Sequence, residues 1–543
     1  MASLISPTGL LLLLLSLLSL LSCHASAQDL RATLDYGTFD GAYSATYNIS
    51  YWQKIPFAQP PIGPLRFRGP QPPLPLANGT VYNSTQSYDM CPQRTVNGSE
   101  DCLYLGLYSR PWTAGQALRP VVVVFYGGAY IEGDADFAIP PSAYPVLNVS
   151  VTETDLVFVY ANYRVNAFGF LPGKEIGEDR EGSDLNPGLL DQDAVLKWTN
   201  KYIASFGGDP DSISIWGQSA GGGSVVAQSI ARAGLSAPKL FTRALASSPF
   251  WVKTYDYDAP QAQAIYDSFS TLVGCGTGVG SLACLKNASV QSIRDASLVI
   301  DASHTYNTSS YTWAPVVDGR FLTMRLSEAV EKGAVNPEYG WGMYNTHEGE
   351  NFIPPGLAVV NNTGTPPFNS SIASFDNWLS GYLPDFSEAD LDQVKQHYPE
   401  EGSTETITSY NDTYTRAGLI FRDSVLACPG YWLASASPKG SYLGEYSISP
   451  AKHGSDTLWW NSISSVQQTN PDTYHGYTGA FASFFMTSDP NTLKLTGNND
   501  SGVPPLSENE EFNINAAGFA DLELTQFKTR CDFWRSVAAK IPI

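Results

Sequence analysis

Positive charge is scarce in this chain. Its 543 residues include 31 Lys and Arg against 52 Asp and Glu, which gives a formal net charge of -21. This excess of negative charge argues against a nucleic-acid-binding protein and against binding to anionic membrane surfaces. The sequence also lacks a Cys-x-x-Cys pair and any His/Cys cluster with metal-ligand spacing. We therefore expect neither a metal nor a cofactor.

Long apolar runs are absent after the first residues. The leucine-rich run 9–22 is too short to span a bilayer comfortably, and Ala25-Ser26-Ala27 follows it as a small-x-small cleavage pattern. This predicts a secretory signal peptide over residues 1–27, although no Lys or Arg precedes the run. No later run reaches about 18 apolar residues, so we expect no membrane anchor. Residues 28–543 are expected to form one large secreted, extracellular domain.

Cysteine is sparse, and its count fits export. Six cysteines remain after the signal segment, an even number that predicts three disulfides in a secreted chain. Six cysteines can pair in many ways, and buried free thiols are the alternative; short spacings favour Cys91–Cys102 and Cys275–Cys284, which leaves Cys428–Cys531. Acceptor motifs for N-glycosylation, each predicting a surface loop if used, occur at Asn48, Asn78, Asn83, Asn97, Asn148, Asn287, Asn307, Asn361, Asn369, Asn411 and Asn499.

The sequence does contain a regular alternation of strand and helix patterns. Short β-branched or aromatic runs occur at 121–125, 156–160, 213–216 and 243–246, and such runs predict buried strands. Helical patterns lie between them, as over 189–206. The alternation indicates an α/β fold with a central, mostly parallel, twisted sheet flanked by helices. Such a sheet binds ligands beyond the carboxyl ends of its strands.

Ser219 directly follows one of these strands. The stretch Gly217-Gln218-Ser219-Ala220-Gly221 fits Gly-x-Ser-x-Gly, and a helix-capable run begins at 224. This strand–turn–helix setting can raise a serine nucleophile into the open, with the N–H of Ala220 pointing into the site. The glycines fit because side chains would clash in so tight a turn. A serine in an ordinary glycine-rich loop is the alternative.

A second group of small residues follows the strand at 121–125. In Tyr126-Gly127-Gly128-Ala129-Tyr130, consecutive small residues let backbone N–H groups face a developing negative charge, as in an oxyanion hole. A plain Gly-Gly turn is the alternative. The presence of the serine turn favours the oxyanion hole.

A serine nucleophile needs a base and an orienting acid, expected in the chain order Ser, Asp or Glu, His. His453 opens a loop after the strand-like run 442–448 and is the candidate base. His475 is its nearest competitor, and the other histidines after the signal segment are His304, His347 and His397. Glu348, which follows the run 339–345, is the candidate acid, and Glu350 is the alternative.

Further motifs extend over nearly the whole chain after residue 55. They are Pro60-Pro61-Ile62-Gly63-Pro64-Leu65-Arg66-Phe67, Glu100-Asp101-Cys102-Leu103-Tyr104-Leu105, Asn162-Tyr163-Arg164-Val165, Gly188-Leu189-Leu190-Asp191-Gln192, Phe206-Gly207-Gly208-Asp209-Pro210, His347-Glu348-Gly349, His453-Gly454-Ser455-Asp456 and Cys531-Asp532-Phe533-Trp534. With the serine turn, they resemble the type-B carboxylesterase/lipase family, the cholinesterase-like branch of the α/β-hydrolases. The chain looks like a secreted, fungal-type member.

The resemblance implies an α/β-hydrolase fold and a catalytic triad. Ser219 is then the nucleophile, Glu348 the acid and His453 the base. The implied oxyanion donors are the backbone N–H groups of Gly128, Ala129 and Ala220. The resemblance also implies buried structural ion pairs, Arg66–Glu100 and Arg164–Asp191, and its disulfide pattern matches the three pairings above.

Two departures from the family pattern bear on function. Where the family usually has Glu before the nucleophile, this chain has Gln218, which removes a negative charge beside the base and is expected to lower its basicity. The loop between Cys91 and Cys102 is short, whereas relatives place a choline-binding Trp or a long lipase flap there. Phe250 and Trp251 are candidate acyl-pocket residues, with a core position as the alternative.

These expectations converge on a secreted serine carboxylic-ester hydrolase. It would act through an acyl-enzyme on small to medium soluble esters, with no nucleic-acid partner and no cofactor. A triacylglycerol lipase of the same family is the enzymatic alternative. A non-catalytic binding or adhesion module on the same fold is the alternative from another class. The sequence identifies neither the natural ester nor the oligomeric state.

Overall fold

A twisted sheet of eleven strands forms the centre of the molecule. The structure, a computed structural model, describes residues 30–135, 138–150, 154–302, 313–362, 368–494 and 502–543. The predicted signal peptide, His304, Asn307 and Asn499 lie outside these residues. The strands are β1 (Arg31–Leu34), β2 (Gly37–Asp40), β3 (Ala42–Ser44), β4 (Ile49–Pro56), β5 (Val81–Asn83), β6 (Tyr104–Ser109), β7 (Arg119–Phe125), β8 (Val157–Ala161), β9 (Gly208–Gln218), β10 (Arg243–Ser247), β11 (Tyr339–Asn345), β12 (Gly440–Tyr446), β13 (Glu510–Asn515) and β14 (Gly518–Glu523).

The middle of the large sheet is parallel. Its order is β14-β13-β12-β11-β10-β9-β7-β8-β6-β4-β3, and every neighbouring pair from β13 to β8 is parallel. The flanking pairs at both edges are antiparallel. Strands β1, β2 and β5 form a separate small sheet. The parallel strands all present their carboxyl ends at one edge, where ligands bind in folds of this kind.

Helices cover both faces of the sheet, as the buried, two-sided strands require. In β7 the side chains of Val121 and Val123 join one hydrophobic cluster and that of Val122 joins the other. The α-helices are Tyr144–Asn148, Asn166–Phe170, Lys174–Glu178, Pro187–Tyr202, Ala220–Ile230, Pro260–Val273, Ser281–Asn287, Val290–Ala302, Leu326–Glu331, Ile372–Tyr382, Glu388–His397, Thr413–Phe421, Cys428–Ser435, Thr457–Trp460, Ser465–Thr469, Pro471–Thr473, Gly479–Thr487 and Gln526–Ser536. Helices of the 3₁₀ type span Gly63–Leu65, Ile203–Phe206, Ala231–Gly234, Glu348–Asn351, Pro355–Ala358 and Leu506–Glu508, and π-helices span Arg422–Ala427 and Tyr474–Thr478.

The elements expected from the sequence are present, with shifted ends. The helix expected over 189–206 runs from Pro187 to Tyr202, because proline is well suited to a first helical position. It then tightens into a 3₁₀ turn and ends at Gly207, whose φ of 85° suits glycine. The helix expected from 224 begins at Ala220, immediately after the serine. Among the described residues, no helix is both long and apolar enough to cross a membrane.

Buried ion pairs and one of the three disulfides connect segments that are distant in the sequence. Arg66 binds Glu100 through two hydrogen bonds of 2.7 Å, and Arg164 binds Asp191 through bonds of 2.8 and 2.7 Å. The disulfides are Cys91–Cys102, Cys275–Cys284 and Cys428–Cys531. The last attaches the C-terminal helix Gln526–Ser536 to helix Cys428–Ser435. The two ion pairs and Cys428–Cys531 therefore have structural roles, since they hold distant parts of the fold together.

Most described glycosylation motifs lie on the surface, as the sequence predicts. The asparagines at 48, 78, 83, 97, 148, 287, 361 and 411 are exposed. Asn369 is half-buried, and its Oδ1 accepts hydrogen bonds from the N–H of Ser371 and the hydroxyl of Ser374. The exposed asparagines can therefore carry glycans more readily than Asn369, and glycosylation itself stays a prediction.

Candidate active site

Ser219 lies on a sharp turn between a strand and a helix. Strand β9 ends at Gln218 and the helix begins at Ala220, so the serine is the single residue between them. Its backbone has φ 58° and ψ -126°, a conformation that costs a non-glycine residue about 1–3 kcal/mol. The strain is held by backbone bonds, because the N–H donates to Ser247 at 3.0 Å and the C=O accepts from Phe250 at 2.8 Å. The side chain is fixed at the carboxyl edge of the sheet.

The glycines around the serine are required by close backbone contacts. A Cβ added to Gly217 would lie 2.3 Å from the backbone of Gly221. A Cβ on Gly221 would lie 2.1 Å from the carbonyl oxygen of Phe125, the last residue of β7. Side chains at these positions would push the turn away from β7. The Gly-x-Ser-x-Gly pattern therefore has a steric cause, and the alternative of an ordinary loop serine is not supported.

The loop after β7 lies directly against the serine. A Cβ on Gly127 would come within 3.0 Å of the Cβ of Ser219. Gly128 has φ 110° and Ala129 has φ 54°, so the chain turns sharply beside the hydroxyl. Within the described part of the chain, the N–H groups of Gly128 and Ala129 donate to no other residue. The N–H of Ala220 belongs to the first turn of its helix, where amides have no intrahelical acceptor.

His453 and Glu348 form a hydrogen-bonded pair at the same edge of the sheet. The imidazole Nδ1 lies 3.0 Å from the carboxylate Oε2. The Glu348 side chain is fully buried, and that of His453 is 14% exposed. Glu348 follows β11 and His453 follows β12, which are parallel neighbours. A neutral imidazole whose Nδ1–H donates to the carboxylate keeps the lone pair on Nε2, as a general base requires.

Glu350, the alternative acid, belongs to a different cluster. Its carboxylate binds Nδ1 of His347 at 2.8 Å and also the ammonium group of Lys452. These two partners lower the pKa of Glu350 although burial acts against them. His475 makes a ring contact with the adjacent Tyr474 and lies in the π-helix Tyr474–Thr478. The geometry therefore favours Glu348 and His453 over their alternatives.

Nε2 of His453 has a partner that the sequence did not predict. The side-chain Nε2 of Gln218 lies 3.3 Å from it. Among the described residues, Ser219 Oγ makes no hydrogen bond to the imidazole. In addition, the backbone N–H of His453 donates to Oδ1 of Asn351 at 3.1 Å. Both contacts position the candidate base. The sequence placed Gln218 beside the base without indicating a bond to Nε2, and it gave no signal for Asn351.

An aromatic stack lies beside the base. The ring of Phe352 is 4.9 Å from the imidazole of His453, 5.6 Å from Phe250 and 5.1 Å from Phe421. Phe352 is half-buried, whereas Phe250 and Trp251 have 0% and 1% exposure. Phe352, four residues after Glu348, was not expected at the site, and its ring contacts the candidate base. Phe250 lies behind it, and Trp251 is part of the core.

The short loop between Cys91 and Cys102 packs against residues 126–133, the loop after β7, which we call the oxyanion loop after its predicted role. Between Cys91 and Cys102, the side chain of Gln93 accepts a hydrogen bond from the N–H of Gly133 at 2.8 Å and donates one to its C=O at 2.9 Å. Arg94 forms an ion pair with Glu132. The loop is thus attached to the segment that follows Gly128 and Ala129. Within the residues that can be described, no group of three or more His, Cys, Asp and Glu side chains is arranged as a metal site.

Comparisons with known proteins identify the family and agree with the fold. The model of the carboxylesterase family matches residues 28–534. Lipase 2 of Geotrichum candidum is 28% identical over 82% of this chain and 84% of its own length. Secreted lipase 1 of Botryotinia fuckeliana is 31% identical over 55% of this chain and 56% of its own. The crystal structure of Aspergillus niger EstA superposes with a TM-score of 0.79 at 25% identity, covering 94% of this chain and 99% of that one.

Proposed function

The chain belongs to the carboxylesterase family and is a carboxylic-ester hydrolase with the α/β-hydrolase fold, and on that premise we propose that Ser219, His453 and Glu348 are its catalytic triad. The observation that carries the proposal is the pair formed by His453 and the buried Glu348, 3.0 Å between Nδ1 and Oε2, on the same sheet edge as the strained Ser219. The non-catalytic binding module considered from the sequence is less favoured, because the relatives that the comparisons name are lipases and carboxylesterases.

The first half of the reaction forms an acyl-enzyme. His453 accepts the Ser219 proton on Nε2 as Oγ attacks the ester carbonyl carbon. The N–H groups of Gly128, Ala129 and Ala220 donate to the oxyanion of the tetrahedral intermediate. Collapse of the intermediate breaks the ester C–O bond, and the imidazolium gives its proton to the leaving alcohol.

The second half repeats these steps with water. His453 takes a proton from water, the hydroxide attacks the acyl carbon, and Ser219 leaves with the proton returned by the imidazolium. Glu348 holds the tautomer with the lone pair on Nε2 and stabilises the imidazolium. The buried position of Glu348 strengthens that interaction, since solvent does not screen it.

The test combines kinetics with covalent labelling. Hydrolysis of p-nitrophenyl esters from acetate to palmitate is measured for the wild type and for Ser219→Ala, His453→Ala and the matched control His475→Ala. We expect the first two variants to lose activity and the control to keep it. Mass spectrometry after fluorophosphonate treatment should locate the label on Ser219. A label on another serine, or an active Ser219→Ala variant, would contradict the proposal.

We propose small to medium soluble esters as substrates. The short loop Cys91–Cys102 supports this choice, because it packs on the oxyanion loop through Gln93 and Arg94. The names of the Geotrichum and Botryotinia relatives say lipase, and that of a Gibberella zeae relative says secreted triacylglycerol lipase, which supports a triacylglycerol lipase as the second candidate. Activity that peaks on short chains supports the esterase, whereas a long-chain optimum with a rate increase at a lipid–water interface supports the lipase.

We also propose that the protein is secreted after removal of residues 1–27. Relatives named as secreted lipases, the three disulfides and the exposed glycosylation motifs support this proposal. N-terminal sequencing of protein recovered from culture medium tests it. A secreted chain that still begins before residue 27 would contradict the cleavage site.

A further inference from the structure

Gln218 contacts Nε2 of His453, the nitrogen on which the proposed base must receive a proton. Its side-chain Nε2 is 3.3 Å from Nε2 of His453, and Ser219 Oγ makes no such contact within the described residues. We propose that Gln218 is a positioning residue that keeps His453 neutral in the free enzyme, by donating an amide hydrogen to the Nε2 lone pair. The inference rests on the triad proposed above.

The chemistry of the two groups allows one protonation state. An amide NH₂ donates hydrogen bonds and accepts none, and a neutral imidazole has one N–H and one lone pair. Because Nδ1–H donates to Glu348, the lone pair lies on Nε2, facing the amide. Protonation of Nε2 would place two donors 3.3 Å apart. The contact therefore disfavours the imidazolium, which cannot accept the proton of Ser219.

The position of the amide is defined from both ends. Its oxygen Oε1 lies 3.4 Å from where a Cβ on Gly127 would be, so this end lies beside the oxyanion loop. Its nitrogen lies 4.0 Å from the corresponding point on Gly454, the residue after the base. This places the oxygen at the oxyanion loop and the nitrogen at the imidazole.

The other charged groups around His453 act in the opposite direction. Glu348 binds Nδ1, and Asp456, buried three residues after the base, interacts electrostatically with it. Burial raises the pKa of Asp456, whose oxygens accept from Asn345, Trp460 and Tyr477. The nearby Glu350 is compensated by His347 and Lys452. Two buried carboxyl groups thus favour the imidazolium, and the neutral donor Gln218 opposes them.

A cavity provides space for the amide during the reaction. A cavity of about 210 Å³ is lined by Gln218, Gly127, Trp216, Thr457 and Asn461, among others. When Ser219 gives its proton to Nε2, the amide must release that atom, and it can rotate toward this cavity. Nε2 of His453 thus accepts a hydrogen bond from Gln218 in the free enzyme, and it accepts the proton of Ser219 during the reaction.

The test compares three variants by the acid limb of the kcat/KM–pH profile. Gln218→Glu replaces the donor by a carboxylate, which favours the imidazolium, so the acid limb should move to higher pH by about one unit or more. Gln218→Met keeps the side-chain length but removes the donor, so the limb should move in the same direction by less. The control Asn461→Asp adds a carboxylate to the same cavity without the imidazole contact and should leave the limb close to that of the wild type.

The pH dependence of Ser219 labelling by a fluorophosphonate gives the same readout without an ester substrate. The order Gln218→Glu, then Gln218→Met, then wild type, from highest to lowest pH, supports the inference. The inference is overturned if the wild type and both Gln218 variants have the same acid limb. It is also overturned if Asn461→Asp shifts the acid limb as far as Gln218→Glu does. If Gln218→Glu does not fold, Gln218→Met decides alone. Failure of the wild type to be labelled at Ser219 overturns the proposed triad itself, whereas labelling with unmoved limbs overturns the role of Gln218 only.

Discussion

Replacing Glu348 by Gln tests the acid of the triad with minimal change in shape. The carboxylate is fully buried and accepts a hydrogen bond from Nδ1–H of His453 at 3.0 Å. An amide of the same size can turn its NH₂ group toward Nδ1. The imidazole would then carry its hydrogen on Nε2, and that tautomer cannot take the proton of Ser219. The stabilisation of the imidazolium by a buried negative charge is lost as well.

The size of the effect follows from this change of tautomer. An acid-to-amide change in a triad lowers kcat by about ten-thousand-fold, or about 5 kcal/mol of transition-state stabilisation. Glu350→Gln is the matched control, two residues away in the same 3₁₀ turn. It loses contacts with the partly exposed His347 and Lys452. Because neither partner belongs to the proposed triad, the kcat of Glu350→Gln should remain within a few-fold of the wild type.

The assay is steady-state hydrolysis of p-nitrophenyl acetate, with thermal unfolding of each variant as a measure of folding. We expect Glu348→Gln to unfold at a temperature similar to the wild type while losing nearly all activity. A loss of less than tenfold in Glu348→Gln, or a thousandfold loss in Glu350→Gln, would refute the assignment of the acid.

Three further outcomes follow from the structure. Gly128→Ala should lower kcat by about a hundredfold or more, because its Cβ would lie 2.3 Å from the Glu132 carbonyl oxygen and displace the oxyanion loop; an unchanged kcat would contradict this. Removing Cys428–Cys531 should cost about 2 kcal/mol more in chemical denaturation than removing Cys275–Cys284, since their sequence separations are 103 and 9; equal costs would argue against the loop-entropy account. Burial and the nearby Glu445 raise the pKa of Glu511 well above 4.5, so the native state keeps a proton that the unfolded chain releases. The bound proton contributes to the free energy of unfolding in acid, and this contribution is lost as pH rises through the native pKa. In Glu511→Gln the free energy of unfolding should therefore fall less steeply with rising pH, by at most about 1.4 kcal/mol per pH unit. The same slope in the variant and the wild type between pH 5 and 8 would contradict this prediction.

The α/β architecture could be predicted because its signals are local. Runs such as 121–125 carry β-branched residues that form a strand buried on both faces, whatever lies elsewhere in the chain. The Ser219 turn is equally local, since strand, glycines and helix are contiguous. Element ends were less predictable, because the strand at 213–216 extends to Gly208 and Gln218 only where neighbouring strands supply backbone partners.

The candidate site was likewise predictable in part, where its signals are local in the sequence. The sequence placed Ser219, Glu348 and His453 in the expected order after three strands, and parallel strands present their carboxyl ends at one edge. It favoured Glu348 and kept Glu350 as the alternative, because two carboxylates so close in the chain carry no local signal of which one faces the imidazole. Only the packing of the His453 loop, 105 residues away, determines which of them meets the imidazole.

By itself, then, the sequence determined the fold class, the strained serine turn and the glycines that permit it, because these depend on contacts between neighbours in the chain. The tertiary structure alone decided the partner of each imidazole nitrogen, Glu348 on Nδ1 and Gln218 on Nε2. It also decided that the Cys91–Cys102 loop packs on the oxyanion loop, and that Phe352 contacts the imidazole of His453. Hydrogen bonds and ring contacts require groups within a few ångströms of each other, and only folding brings such distant residues to that distance.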